Sequence, residues 1–264
     1  SRPVLGIPTT LEQMTGDFLK QYRDSHYLAG NTVVALSGNI SDESLELIKE
    51  RFSIVTAGRE KSVITPEYKQ SFTVKSKPIE QNHLCMAFPA CSFKDPRRYA
   101  FQLMNNILGG GMSSRLFQTL RERLGLCYSV FSFIAAHNDT GALGISTALG
   151  PETEKDAINA IFHEIDRFRE SGVTEQELYR AREQIKANVI MGLESTSARM
   201  HRLGKNELCL GKIPSTEDII NSYNQVTRDD ILKIARETLN LSNLSLSAVG
   251  KVKDADEYRN MAAN

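Results

Sequence analysis

No apolar run in this chain approaches the roughly 20 residues needed to span a bilayer, and Ser1-Arg2-Pro3 does not open a signal peptide. A membrane partner is not expected, and the expected location is cytoplasmic. Net charge is lacking too. Lys+Arg and Asp+Glu both number 32, so no global field of either sign points to nucleic acid. Cysteine is sparse: Cys85, Cys91, Cys127 and Cys209 sit in apolar or helical segments without C-x-x-C spacing. They read as buried free thiols of a reducing compartment, not as disulfides or a zinc knuckle.

Catalytic signatures are missing as well. There is no G-x-S-x-G elbow, no nucleophile motif around a cysteine and no G-x-G-x-x-G, and Gly109–Gly111 lacks the lysine and Ser/Thr of a phosphate-binding loop. His163-Glu164 has Arg167 where a second histidine would complete a zinc motif. His26, His83, His137 and His201 lie far apart with no second ligand at helical spacing, and read as surface or hydrogen-bonded structural histidines. The metal expectation for this chain is none, and no self-sufficient catalytic apparatus is present.

What the chain does contain is a faint internal repeat. Met14–Gly38 aligns without a gap on Val226–Gly250 at a constant offset of 212 residues. Thr15 meets Thr227, Asp17 meets Asp229, Asn31 meets Asn243 and Gly38 meets Gly250, while Leu19 and Tyr22 fall on Ile231 and Ile234. Each copy reads as a capped amphipathic helix, a polar turn and an apolar strand closed by glycine, after an Ile-Pro-x-Thr start at Ile7 and Ile213. If the second unit begins near Ser71, the offset places a complete first unit about 140 residues before Ser1. The sequence is thus expected to hold the tail of one domain and the whole of its twin.

At 41% hydrophobic and 24% charged, the 264 residues suffice for one large core plus a fragment. Thr9–Tyr27 reads as a helix with Leu11, Met14, Phe18, Leu19 and Tyr22 along one stripe, Thr32–Leu36 as a short buried strand, and Ser41 as the start of a helix with Leu45, Ile48 and Phe52 inward. Residues 54–70 lose periodicity and form the linker. The expected domains are therefore 1–53, remnant of a first domain; 54–70, linker; and 71–264, a complete homologous domain. Within the last, Ser71–Lys75 and His83–Phe88 read as strands, and Asp95–Leu108 as a helix stopped by Gly109-Gly110-Gly111. Ser113 or Ser114 caps a helix through Leu124, with Leu116, Phe117, Leu120 and Leu124 inward. Cys127–Ala135 and Gly141–Leu149 form a hairpin, Glu152–Arg169 and Glu175 to about Leu210 are long helices, two shorter ones follow, and Leu244–Val249 closes the unit. Strands at both ends with helices between give an α+β class, an antiparallel or mixed sheet covered by helices on one face.

The most informative stretch runs from Gly109 to Tyr128 (GGGMSSRLFQTLRERLGLCY). Its L-R-E-x-x-G-x-x-Y pattern, with Arg121 and Tyr128 seven apart after GGG-x-x-S-R-L-F, resembles the pitrilysin or insulin-degrading-enzyme family of inverted zinc peptidases. It is most similar to the short bacterial members akin to mitochondrial processing peptidase. Gln81-Asn82-His83-Leu84, Arg2-Pro3-Val4-Leu5-Gly6 and Asn31-Thr32-Val33-Val34 extend the resemblance over nearly the whole chain.

The resemblance implies a metalloendopeptidase in which homologous domains form a clamshell around an unfolded peptide. In that family the zinc ligands H-x-x-E-H and a later glutamate belong to the first domain. This sequence lacks them, so zinc is expected of the parent protein and the chain alone is expected to be inactive. Arg121 and Tyr128 match the pair that donates hydrogen bonds to the scissile carbonyl as it becomes an oxyanion; read without the family, they are an exposed helix arginine and a core tyrosine. Gly109, Gly110 and Gly111 correspond to a glycine-rich substrate-contacting loop, here much shorter, and otherwise read as a helix C-cap. The implied partners are the unfolded peptide and the missing N-terminal domain or a partner subunit, in a homodimer or heterodimer. The alternative is a non-catalytic, core-type subunit of the kind found in respiratory complexes, or a peptide-binding scaffold of the same fold.

Overall fold

Alternation of buried and half-exposed positions along the central strands builds one sheet with a single covered face. The computed structural model describes residues 4–58 and 64–263. In chain order its elements are α1 (Pro8–Leu11), α2 (Gly16–His26), α3 (Asp42–Phe52), β1 (Phe72–Ser76), β2 (Asn82–Ala90), α4 (Arg98–Gly109), a π-helix (Phe117–Arg123), β3 (Cys127–Ala136), β4 (Gly141–Leu149), α5 (Glu154–Ser171), α6 (Glu175–Met191), α7 (Thr196–Leu210), α8 (Thr216–Gln225), α9 (Arg228–Thr238), β5 (Ser245–Gly250) and α10 (Ala255–Ala263). They group into two compact units, Thr65–Met191 with Pro214–Asn264, and the chain up to Ile64 with Gly192–Ile213.

The larger unit holds a five-stranded sheet in the order β1-β5-β2-β4-β3. Only β1 and β5 run parallel; the other pairings are antiparallel, so the α+β, mixed-sheet class is observed. Leu84, Met86 and Phe88 of β2, Leu143, Ile145 and Leu149 of β4 and Leu246 and Ala248 of β5 all point into the core. On the opposite face His83, Cys85, Ser146 and Ser247 are at least partly exposed, and the Phe133 ring lies over Gly144. Period-two burial of this kind marks a sheet with one side covered.

The cover comes from helices whose apolar stripes recur at three and four residues. α5 buries Ala157, Ile158, Ile161, Phe162, Ile165 and Phe168, and α4 buries Phe101, Leu103, Met104, Ile107 and Leu108. α4 packs on β3, α6 and α9. Its last residue, Gly109, lies so close to β3 that a Cβ there would stand 2.5 Å from the Ser132 backbone nitrogen. Ser132 completes the contact by donating its hydroxyl to the Asn105 carbonyl, 3.1 Å. α10, which the sequence reading omitted, packs on β1 and buries Tyr258, whose hydroxyl donates to Glu154.

The repeat is visible in the backbone. Thr15 and Thr227 each cap an eleven-residue helix by accepting an amide hydrogen bond, each helix leads to a three-residue 3-10 turn, and Gly38 and Gly250 close the units at φ +138° and +141°. Burial separates the copies. α9 buries Ile231, Ile234 and Ala235, whereas α2 buries nothing, leaving Phe18 49% and Leu19 53% exposed.

Several sequence expectations are corrected. Thr9–Tyr27 is not one helix: Thr15 takes the N-cap, its Oγ1 accepting from Phe18 N, and splits the segment into α1 and α2. Thr32–Leu36 is neither buried nor a strand, because no strand among the described residues pairs with it. Leu45 and Phe52 of α3 are exposed. The long helix from Glu175 breaks at 192–195, where Ser195 caps α7 by accepting from Ala198 N. Residues 192–213 consequently group with the N-terminal segment, although they fall within the 71–264 span drawn from sequence. Linker residues 59–63 lie outside the described residues. All four cysteines are free; Cys91 is buried, the other three are half-buried, and burial pushes the Cys91 thiol up to about 11.

The close approach of α4 to β3 makes a direct prediction. Gly109→Ala forces the helix off Ser132 and is expected to destabilise the protein by about 1–3 kcal/mol. At Gly111 a Cβ meets only the end of Gln184, at 3.8 Å. Gly111→Ala is expected to stay within about 0.5 kcal/mol of wild type, both variants being read by urea titration.

Candidate functional site

The site grows from the segment joining α4 to β3. Gly110 caps α4, its N–H bonding Asn106 O. Ser114 does not cap the following helix as expected. Its hydroxyl instead donates to Gly111 O, closing a tight turn, and Gln118 Nε2 reaches back to Met112 O at 2.8 Å. The helix that follows is wound as a π-helix, with Leu124 N bonding Thr119 O five residues back. Wider winding carries one extra residue per turn. Leu116 and Leu120 remain buried, while Leu124, just beyond the last turn, is exposed and not inward.

After the π-helix, Gly125 adopts φ +62°, a left-handed value suited to glycine, and the chain reverses into β3. The β3–β4 register slips between Cys127 and Ser129. Tyr128 is therefore the extra residue of a bulge at the start of an edge strand, and it is 75% exposed, not a core tyrosine.

These two irregularities bring the predicted pair together. The Arg121 guanidinium lies 4.9 Å from the centroid of the Tyr128 ring and 4.8 Å from that of Phe117. Stacking on two rings orders a cation whose ion pair with Glu122, at 4.0 Å, is long. The Tyr128 hydroxyl bonds no described residue. Both side chains thus offer unused donors from one small region of surface. Of the three glycines, Gly109 is buried against Ser132, Gly110 is exposed and Gly111 half-exposed.

The same segment also carries a charged cluster absent from the sequence expectations. Arg115 binds Glu177 through Nε, 2.7 Å, and Nη2, 2.8 Å, donates to Gly172 O and stacks on Phe168. Thr119, buried, donates to Glu164 Oε1 at 2.8 Å. With Arg123, Arg167, Ser113 and Gln118 these two pairs line a cavity of about 210 Å³. The sequence signal for these partners is weak, since Thr119 and Glu164 stand 45 residues apart. No group of three or more His, Cys, Asp or Glu among the described residues is placed to hold a metal ion.

Comparison with known proteins decides the family. The profile of the peptidase M16 inactive domain matches residues 13–185. The chain belongs to the peptidase M16 family. It is 36% identical over 236 residues to the uncharacterized zinc protease YmxG of Bacillus subtilis, covering 89% of this chain and 58% of that protein. An uncharacterized zinc protease of Streptomyces coelicolor is 34% identical over 269 residues, covering 98% and 58%. The chain thus spans somewhat over half the length of these relatives. Among solved structures, a peptidase M16 inactive domain from Pseudomonas fluorescens superposes with a TM-score of 0.85 at 24% identity, over 94% of this chain and 60% of that one. A chain of complex III2 from Candida albicans gives 0.83 at 19% identity, over 99% and 66%. At such identities these superpositions speak to the M16 fold alone. No described helix of this M16 chain is long and apolar enough to cross a membrane.

The Arg115–Glu177 pair carries a pH signature. Burial alone would raise the Glu177 carboxyl, but hydrogen bonds from Arg115 and Thr174 overcome it and lower it from 4.5 to about 2. A carboxyl depressed in the folded state stabilises the fold above its unfolded value and loses that contribution as pH falls toward its folded value. Melting temperature is expected to drop between pH 4.5 and about 2, and Glu177→Gln to show a shallower drop over the same window.

Proposed function

We propose that this chain is the C-terminal, metal-free portion of a zinc-dependent endopeptidase that cleaves unfolded peptides. The supporting observation is the stack of Arg121 between Phe117 and Tyr128, which presents a guanidinium and a phenol side by side with donors free. Two donors so held can bind a carbonyl oxygen more tightly as it gains negative charge, which is how preorganised hydrogen bonds lower an acyl-transfer barrier. Aromatic stacking matters here because it fixes the guanidinium before substrate arrives. The described residues do not fit a zinc site, so the metal is assigned to the remainder of the parent protein.

The smaller unit supports a two-domain parent. α1, α2, α3 and α7 bury no residue, and Val33 and Val34 are exposed in the segment whose sequence aligns with β5. An apolar stripe without a core is a surface awaiting cover. We assign that cover to a homologous N-terminal domain of which 1–53 is the tail, with a second half supplied in a homodimer or heterodimer. Gly110 and Gly111, on the loop feeding the π-helix, are the glycines we assign to substrate contact, a reading their exposure supports.

A non-catalytic subunit or peptide-binding scaffold is the second reading, favoured by the superposition on a complex III2 chain and by the open β3 edge, to which an extended peptide can add. The full reading frame separates the two: an H-x-x-E-H motif in the portion not covered here supports the peptidase, and its absence supports the subunit.

For the full-length protein, an unstructured peptide is expected to be cleaved, with activity lost on chelation and restored by zinc. Tyr128→Phe is expected to lower kcat by about 10²–10³-fold. Unchanged turnover in that variant removes Tyr128 from the mechanism.

A further inference from the structure

α5 turns one face to the core, and Glu164 lies on that face among Ile161, Ile165 and Phe168. It is 1% exposed. A carboxylate in such a place is costly unless donors gather on it, and an apolar residue would serve packing better. The donors present are specific. Thr119 Oγ1 donates to Oε1 at 2.8 Å, Arg167 Nη1 approaches the same oxygen at 2.9 Å, and Arg123 Nη2 lies 3.7 Å from it while also donating to Thr119 Oγ1. Oε2 accepts from no described residue.

Two of these partners, Thr119 and Arg123, belong to the π-helix and stand two residues before and two residues after Arg121. Thr119 is bound twice over. Its hydroxyl is clamped between Glu164 and Arg123, and its carbonyl accepts the Leu124 N–H, the five-residue bond that defines the π winding. Leu126 N then bonds Leu120 O at 2.8 Å, and Thr153 Oγ1, just before α5, donates to Leu126 O at 3.0 Å. The segment is thereby tied to α5 at both ends.

We propose that Glu164, acting through Thr119, is a positioning residue for Arg121. The buried carboxylate holds the π winding, and the winding sets where Gly125 turns the chain and hence where Tyr128 meets Arg121. Rewound as an α-helix, the segment would rotate everything after Thr119 relative to Leu116 and Leu120, drawing the Tyr128 ring away from the guanidinium. An isolated stretch has no reason to prefer the rarer winding; a side chain clamp outside the helix supplies one. The catalytic consequence rests on the proposed role of Arg121 and Tyr128 in peptide hydrolysis, whereas the structural link from Glu164 to Arg121 does not.

The test reads both in the full-length protein, by turnover of an unstructured peptide and by the NMR signal of Arg121 Nε–H, which the two rings displace. Thr119→Val is expected to lower kcat roughly tenfold to a hundredfold with KM unchanged. It is also expected to move the Arg121 signal toward that of a solvent-exposed arginine, with Thr119→Ser recovering both. If Thr119→Val does not fold, Glu164→Gln is read by the same two measures with the same expectation. An unmoved Arg121 signal, with or without a loss of activity, overturns the proposal, as does a loss confined to KM. Should the wild-type protein fail to hydrolyse peptide, the peptidase reading falls, and the Arg121 signal alone then decides whether the clamp holds it.

Discussion

Because helices cover one face of the five-stranded sheet, every connection that returns to it must choose a side, and the segment of the candidate site is placed by that choice. α4 comes down onto β3 at backbone contact, which only a residue without a Cβ permits at position 109. The chain then has to leave α4, keep Leu116 and Leu120 in the core and re-enter the sheet at its edge as β3. The π-helix, the left-handed Gly125 and the bulge at Tyr128 are successive solutions to that path. They expose Tyr128 and turn Arg121 onto it without opening the core beneath.

The repeated unit separates what local chemistry determines from what tertiary packing determines. Threonine caps, eleven-residue helices, 3-10 turns and glycines with positive φ recur in both copies, because each depends on residues within a few positions of one another. The capped helix, the polar turn and the closing glycine were legible in the sequence; that Thr15 splits the first copy's helix was not. Burial is not local: α9 lies on a sheet and α2 does not, although their apolar stripes are alike. For the same reason Ser245–Gly250 forms β5 between β1 and β2, while residues 32–36 stay unpaired, since an extended backbone becomes a strand only when a neighbour takes its hydrogen bonds.

Much of the candidate site was also legible, but only as residue identity. Arg121 and Tyr128 could be singled out through the resemblance of L-R-E-x-x-G-x-x-Y to the family pattern, and the structure stacks them; the manner of stacking could not be read. Apolar residues at 116, 120 and 124 fit an α-helical stripe, so periodicity alone predicts Leu124 inward, and a π winding leaves no separate periodic trace in seven residues. A bulge at Tyr128 likewise changes no residue type. The helix break at 192–195 was hidden because Gly192 and Ser195 interrupt an otherwise continuous polar and apolar pattern by only one turn.

Two buried or half-buried glutamates show how differently the same group can be used. Glu177 meets Arg115 through both guanidinium edges and receives the Thr174 amide and hydroxyl, so its charge is fully answered and it joins the start of α6 to the segment before the π-helix. Glu164 gathers its donors on one oxygen and leaves the other bare. Judged as stability, such a carboxylate is a poor choice, since an apolar side chain of similar size would fill the site without desolvating a charge. Judged as geometry it has a property that no apolar residue offers: a hydroxyl donor has to point at it, and that direction constrains the turn which carries Thr119. On the proposal made above, the cost of burying Glu164 is the cost of fixing a backbone register, at the segment where Arg121 stacks on Tyr128.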